Sequence, residues 1–140
     1  DSGVLVLDDT YNASPSSTAA ALRSLARLPV DGARLAVLGE MRELGAHSRD
    51  AHARIGALAG ELGIDLVVAV GENDGMSALA GAIDVAGGVV TRVRDVDAAC
   101  AELAASLVAG DAVLVKASRA VGLERVVEAL RSGAVEVSAT

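Results

Sequence analysis

Four segments of this sequence place polar, charged or glycine residues directly after short apolar runs. That is how sites are built at the carboxyl ends of parallel strands. The first is Asp8-Asp9-Thr10-Tyr11-Asn12-Ala13-Ser14-Pro15, which sets two adjacent carboxylates beside the only Tyr of a chain without Phe or Trp. Two carboxylates followed by an aromatic ring and an Asn suit sugar hydroxyls or a magnesium-bound phosphate. They serve equally well to end a strand and turn the chain. The second segment, Gly39-Glu40-Met41-Arg42-Glu43-Leu44-Gly45, has the composition of many ordinary strand–helix connections, which is the commoner reading. The third, Gly71-Glu72-Asn73-Asp74-Gly75, reads as a turn. In the fourth, Lys116 and Arg119 stand three apart next to a helix start. Two cations converging there suit a carboxylate or phosphate, and a surface ion pair accounts for them as well.

Several chemistries are excluded. His47 and His52 are five apart with no Cys or further His nearby, so they do not form a metal pair on one helical face. A capping or solvated role is the better reading for both. There is no phosphate-cradling G-x-x-x-x-G-K-[ST], no G-x-G-x-x-G, no nucleophile elbow and no catalytic triad. Cys100, the only cysteine, cannot form an intrachain disulfide and reads as a small buried hydrophobe in a reducing cytoplasm. The formal net charge of −7 argues against a nucleic-acid partner. No apolar run approaches the ~20 residues of a membrane span.

The elements that must position these segments alternate in type. Apolar runs rich in Val and Leu at residues 4–7, 35–38, 66–70, 89–93 and 112–115 predict buried strands. A sixth is expected at 135–137. Between them, apolar stripes predict helices over 15–28, 49–62, 76–83, 96–108 and 121–130. Ser14 and Ser48 are the expected N-caps, Pro15 the first helical residue and Gly63 a stop. The alternation predicts a single α/β domain over residues 1–140, a mostly parallel Rossmann-like sheet of about six strands with helices on both faces. The chain starts Asp1-Ser2-Gly3 without Met, which reads as a piece of a longer polypeptide.

Three ordered segments together carry a family resemblance. Asp8 to Pro15 resembles the Asp-Asp-x-Tyr-Asn-Ala-Asn-Pro signature of the D-alanyl-D-alanine-adding (MurF) branch of the Mur ligase family. Residues 37–45, Val-Leu-Gly-Glu-Met-Arg-Glu-Leu-Gly followed by Ser48 and His52, are similar to its V-L-G-[DE]-M-x-E-L-G…S…H stretch. Residues 115–124 resemble its V-K-[GA]-S-R-x-x-x-[LM]-E. The resemblance is to the C-terminal domain alone. It implies that a UDP-substrate domain and a central ATP-binding domain, which would hold ATP and Mg2+, belong to the same polypeptide. The implied reaction joins UDP-N-acetylmuramoyl-tripeptide to D-alanyl-D-alanine through an acyl phosphate.

Residue by residue, the resemblance implies that Asp9 meets the ATP ribose, with Tyr11 and Asn12 near the nucleotide or phosphates. Lys116, Ser118 and Arg119 become candidates for the dipeptide carboxylate or the closed interface. Glu40, Arg42 and His52 become contacts of a closure loop. This sequence departs from the pattern at Ser14, where the family has a second Asn, and an expected ATP-contacting Arg falls before residue 1. Two rivals remain in view. Another Mur-type or folylpolyglutamate-like ligase domain is disfavoured by Tyr11-Asn12. A free-standing nucleotide-sensing or response-regulator-like module is disfavoured by the abrupt first strand.

Overall fold

The computed structural model describes residues 3–139. Five strands, β1 (Leu5–Asp9), β2 (Arg34–Gly39), β3 (Leu66–Val70), β4 (Val90–Val93) and β5 (Ala112–Lys116), alternate with α1 (Pro15–Arg27), α2 (Ser48–Glu61), α3 (Asp74–Val85), α4 (Val96–Ser106) and α5 (Glu124–Ser132). All strand pairings are parallel, in the order β1-β5-β2-β3-β4. Period-2 alternation splits the strands between two cores. Ala36, Leu38, Val67, Ala69, Ala112 and Leu114 face α1, α2 and α3, where they meet Leu22, Leu25, Ile55, Met76 and Leu79. Leu35, Val37, Val68, Val70, Val113 and Val115 face α4 and α5, where they meet Ala99, Leu103, Val126 and Val127. No helix among the described residues is long and apolar enough to cross a membrane.

The helix ends follow from local chemistry. Ser14 caps α1 with a capping box, accepting from Ser17 N–H at 3.1 Å while Ser17 Oγ accepts from Ser14 N–H at 3.0 Å. Pro15 opens that helix at no cost, because its missing N–H is one that a first turn leaves unpaired. At the other end of α1 the Arg34 guanidinium donates to Leu25 O at 3.1 Å and to Leu28 O, carbonyls that also accept from Leu28 N–H and Val30 N–H. Asn73 and Asp95 cap α3 and α4 in the same side-chain manner. α2 differs from its predicted start. Ser48 is its first residue, not its cap, because a 3-10 turn at Gly45–His47 runs directly into it. The helix predicted over 121–130 starts later, at Glu124, because Gly122 takes a left-handed φ of 80° and breaks the preceding 3-10 turn.

Two further expectations are corrected. The sheet has five strands and not six: Val135 is buried against α5, and Ser138 makes only an isolated parallel bridge to Val108. The tail docks on the α4–β5 connection, through Ala109 N–H to Ser138 O and Ser138 N–H to Leu107 O, so no edge is extended. β1 reaches two residues beyond its predicted end, to Asp9, because Asp8 and Asp9 lie in register with Val115 and Lys116.

A core without Phe or Trp lets backbones approach closely. A Cβ at Gly56 on α2 would overlap the Leu79 carbonyl on α3, and one at Gly60 would fall 2.5 Å from Ala86 Cβ. Gly56→Ala is therefore expected to cost about 1–3 kcal/mol, the range for overpacking a tight contact. Urea denaturation checks this; an unchanged midpoint would show that the two helices are free to separate.

Candidate functional site

The chain steps outward from β2 to β4 and then returns, inserting β5 between β1 and β2. Strand order reverses there, which in open α/β sheets opens a crevice at the carboxyl ends. Three of the four polar segments converge at that place. The remaining segment, residues 71–75 after β3, lies toward the β4 edge, where its Asn73 serves as the α3 cap.

Asp9 and Lys116 end neighbouring strands in register, and Lys116 Nζ lies 2.7 Å from Asp9 Oδ2. The lysine also donates to the Asn12 carbonyl at 3.0 Å, and only 2% of the residue is exposed. Of the two readings of Lys116, the ion pair is the one seen here, and it is buried on the lysine side where a surface pair was expected. β5 is an inner strand covered on both faces, so its last side chain is enclosed and needs a counter-charge. Asp9 supplies that charge while 47% of its own side chain stays exposed, leaving capacity to accept a hydrogen bond from outside.

Above this pair lies an open cleft of about 420 Å³ lined by Asp8, Asp9, Thr10, Tyr11, Arg119 and Glu124. Tyr11 is 74% exposed, with the Arg119 guanidinium carbon 5.5 Å from its ring centroid, a cation–π contact. Asp8 accepts from Thr10 Oγ at 2.9 Å and lies 3.7 Å from Arg131. Asn12 is exposed, and its Oδ1 accepts from Ala13 N–H at 2.9 Å. Asp9, Tyr11 and Arg119 therefore share one cleft. Thr10 and Glu124 join them unpredicted, although Glu124 was visible as the last residue of the third segment.

The carboxylates here do not fit a metal. Asp8 and Asp9 are each engaged by neighbouring side chains, and no group of three or more His, Cys, Asp or Glu that could hold an ion occurs among the described residues. Asp9 is paired with Lys116 and Asp8 with Arg131, and Glu124 and Arg119 complete the lining, so the cleft offers carboxylate oxygens whose charge is already balanced by nearby cations. Its acceptors match hydroxyl donors, and its paired cations leave little attraction for phosphate oxygens.

The 39–45 loop borders this region. Glu40 and Arg42 form an ion pair at 3.4 Å with side chains 30% and 55% exposed. The loop is tied down from two sides: Arg42 N–H donates to Ser118 Oγ at 2.8 Å, and Ser118 N–H donates to the Glu40 carbonyl at 3.0 Å. Ser118 is 5% exposed, so its hydroxyl serves the loop and not an open pocket. His52 is fully buried, contrary to the solvated or capping expectation. Its Nε2 accepts from Met41 N–H at 3.0 Å, and its Nδ1 lies 2.7 Å from the Ser48 carbonyl. His47 is exposed at the α2 start.

Cys100 is half-buried on α4; burial raises its thiol above the ordinary value, Asp97 adds to this and Arg125 opposes it. A thiol held protonated is a poor nucleophile.

Residues 1–119 match the family described as Mur ligase, glutamate ligase domain. The chain is similar to the UDP-N-acetylmuramoyl-tripeptide–D-alanyl-D-alanine ligase of Mycobacterium tuberculosis, 43% identical over 91% of the chain and 29% of that protein. It is 39% identical to the Escherichia coli ligase of the same name, over 91% of the chain and 27% of that protein. Among solved structures it resembles MurF from Thermotoga maritima in complex with ADP, with a TM-score of 0.76 and 32% identity over 93% of the chain and 28% of that structure. It also resembles MurF from Acinetobacter baumannii, with a TM-score of 0.80 and 28% identity over 94% of the chain and 29% of that structure. The chain thus spans under a third of the length of the relatives it matches. With the matched residues running from β1 to the start of the turn after β5, and MurF ligases as its relatives in both sequence and structure, the chain belongs to the Mur ligase family as its glutamate ligase domain.

Proposed function

We propose that this chain is the C-terminal domain of an ATP-dependent ligase that joins UDP-N-acetylmuramoyl-tripeptide to D-alanyl-D-alanine in cytoplasmic peptidoglycan precursor synthesis. The observation that carries this reading is the carboxylate-lined cleft at the strand-order reversal, where Asp9, Tyr11 and Arg119 meet. The names of the relatives supply the substrates. In the reaction, an oxygen of the tripeptide carboxylate attacks the γ-phosphorus of ATP and ADP leaves. The dipeptide amine then attacks the acyl carbon and loses a proton, and phosphate departs from the tetrahedral intermediate as the amide forms.

This domain's share is orientation and exclusion of water, not bond-making chemistry. Asp9, braced by Lys116, accepts from ribose hydroxyls. The exposed Tyr11 ring and Asn12 flank the nucleotide, and Arg119 is held at the cleft mouth by its contact with Tyr11. Mg2+ neutralises phosphate charge when bound. Because the carboxylates of this chain do not fit it, its ligands lie in the central domain of the same polypeptide. The test is mass spectrometry of the product made by the full-length polypeptide. Formation of the tripeptide–dipeptide amide together with ADP is expected. ADP release with glutamate as acceptor, and none with D-alanyl-D-alanine, would replace this reading with a different amino-acid ligase.

A further inference from the structure

The 39–45 loop is exposed at Arg42, Glu43 and Gly45 and includes Glu43 at a left-handed φ of 64°. A loop of this kind has no intrinsic reason to keep one shape. Three backbone groups in a row are nevertheless fixed by side chains or backbone from elsewhere. The Glu40 carbonyl is held by Ser118 N–H, Met41 N–H by His52, and Arg42 N–H by Ser118 Oγ. The Met41 side chain, 2% exposed, anchors the same point in the core.

His52 suits its task because its tautomer is determined. Nε2 accepts from Met41, so the neutral ring carries its proton on Nδ1, which donates to the Ser48 carbonyl one helical turn back. The ring cannot swing away. Gly75 of α3 packs on it so closely that a Cβ there would fall 2.8 Å from Nδ1. Ser118, in turn, immediately precedes Arg119, which stacks on Tyr11 in the cleft.

We propose that His52 and Ser118 are positioning residues that present the Glu40–Arg42 pair to the incoming dipeptide. Neither need touch substrate. A pair of opposite charges matches a zwitterion, so the consequence falls on the dipeptide and not on ATP. This deepens the ligase reading and rests on it for the identity of the dipeptide, whereas the clamp itself does not depend on that reading.

The experiment therefore has two arms. In the 140-residue chain, amide hydrogen exchange should speed up at Met41 in His52→Leu and at Arg42 in Ser118→Ala, each by about tenfold or more. His52→Gln, which keeps an acceptor near Nε2, should restore part of the Met41 protection. In the full-length ligase, Ser118→Ala should lower kcat/KM for the dipeptide by roughly 10- to 100-fold, the scale of a misplacement near 1 Å, with KM for ATP within about twofold. Arg42→Ala should lose as much, and the double variant no more than either alone. Unprotected Met41 and Arg42 amides in the wild type, or fully additive losses in the double variant, would overturn the proposal. A wild-type enzyme that forms no amide would defeat the ligase reading, and amide exchange would still decide the clamp.

Discussion

Titrated with ATP and Mg2+, the 140-residue chain alone is expected to bind more weakly than about 1 mM and to release no phosphate. A dissociation constant of 1 mM corresponds to about 4 kcal/mol. The cleft offers one half-exposed carboxylate to a ribose, and a hydrogen bond to a charged group contributes about 1.5–3 kcal/mol. From this the rotational and translational cost of association must still be subtracted. The triphosphate would add little, because Lys116 and Arg131 are already paired with Asp9 and Asp8 and the sequence holds no glycine-rich phosphate cradle. Calorimetry decides the point. Micromolar binding to the chain alone would make it a self-sufficient nucleotide module and remove the need for a central ATP-binding domain.

In the full-length ligase, Asp9→Ala should raise KM for ATP by about 10- to 100-fold, the equivalent of losing one charge-assisted hydrogen bond. The substitution also leaves Lys116 buried with only the Asn12 carbonyl as partner, and stripping a buried charge of its counter-ion costs stability in its own right. Lys116→Met separates the two effects, since it removes the cation and spares the carboxylate. Lys116→Met is expected to lower the unfolding midpoint while raising KM for ATP less than Asp9→Ala does. Equal KM values for the two variants would mean that Asp9 acts only by holding the lysine and never meets the nucleotide. Steady-state kinetics at saturating dipeptide supply both numbers.

The layering was readable because the strands are apolar on both faces while the helices carry single stripes. The site was readable only in part. Asp8 and Asp9 read as a strand end because Asp is a poor strand former. Their membership of β1 depends on the register partner Lys116, more than a hundred residues away. Lys116 reads from the sequence as either a ligand cation or a surface ion pair, because nothing local reveals that β5 returns to the inside of the sheet. Once it does, the side chain is enclosed and paired with Asp9. His52 follows the same logic: a histidine one turn into α2 reads as surface until α3 closes over it with Gly75. Ser14 was legible throughout, since capping is decided within four residues. The absence of a sixth strand was not, because Val135 serves a buried contact in either arrangement.

The most direct measurement compares ADP release, driven jointly by UDP-N-acetylmuramoyl-tripeptide and D-alanyl-D-alanine, by the full-length polypeptide and by the same polypeptide lacking this domain. Release should be dipeptide-dependent in the first and fall to background in the second. It should return at least in part when the 140-residue chain is added back at high concentration. Undiminished dipeptide-dependent turnover without the domain would contradict the account.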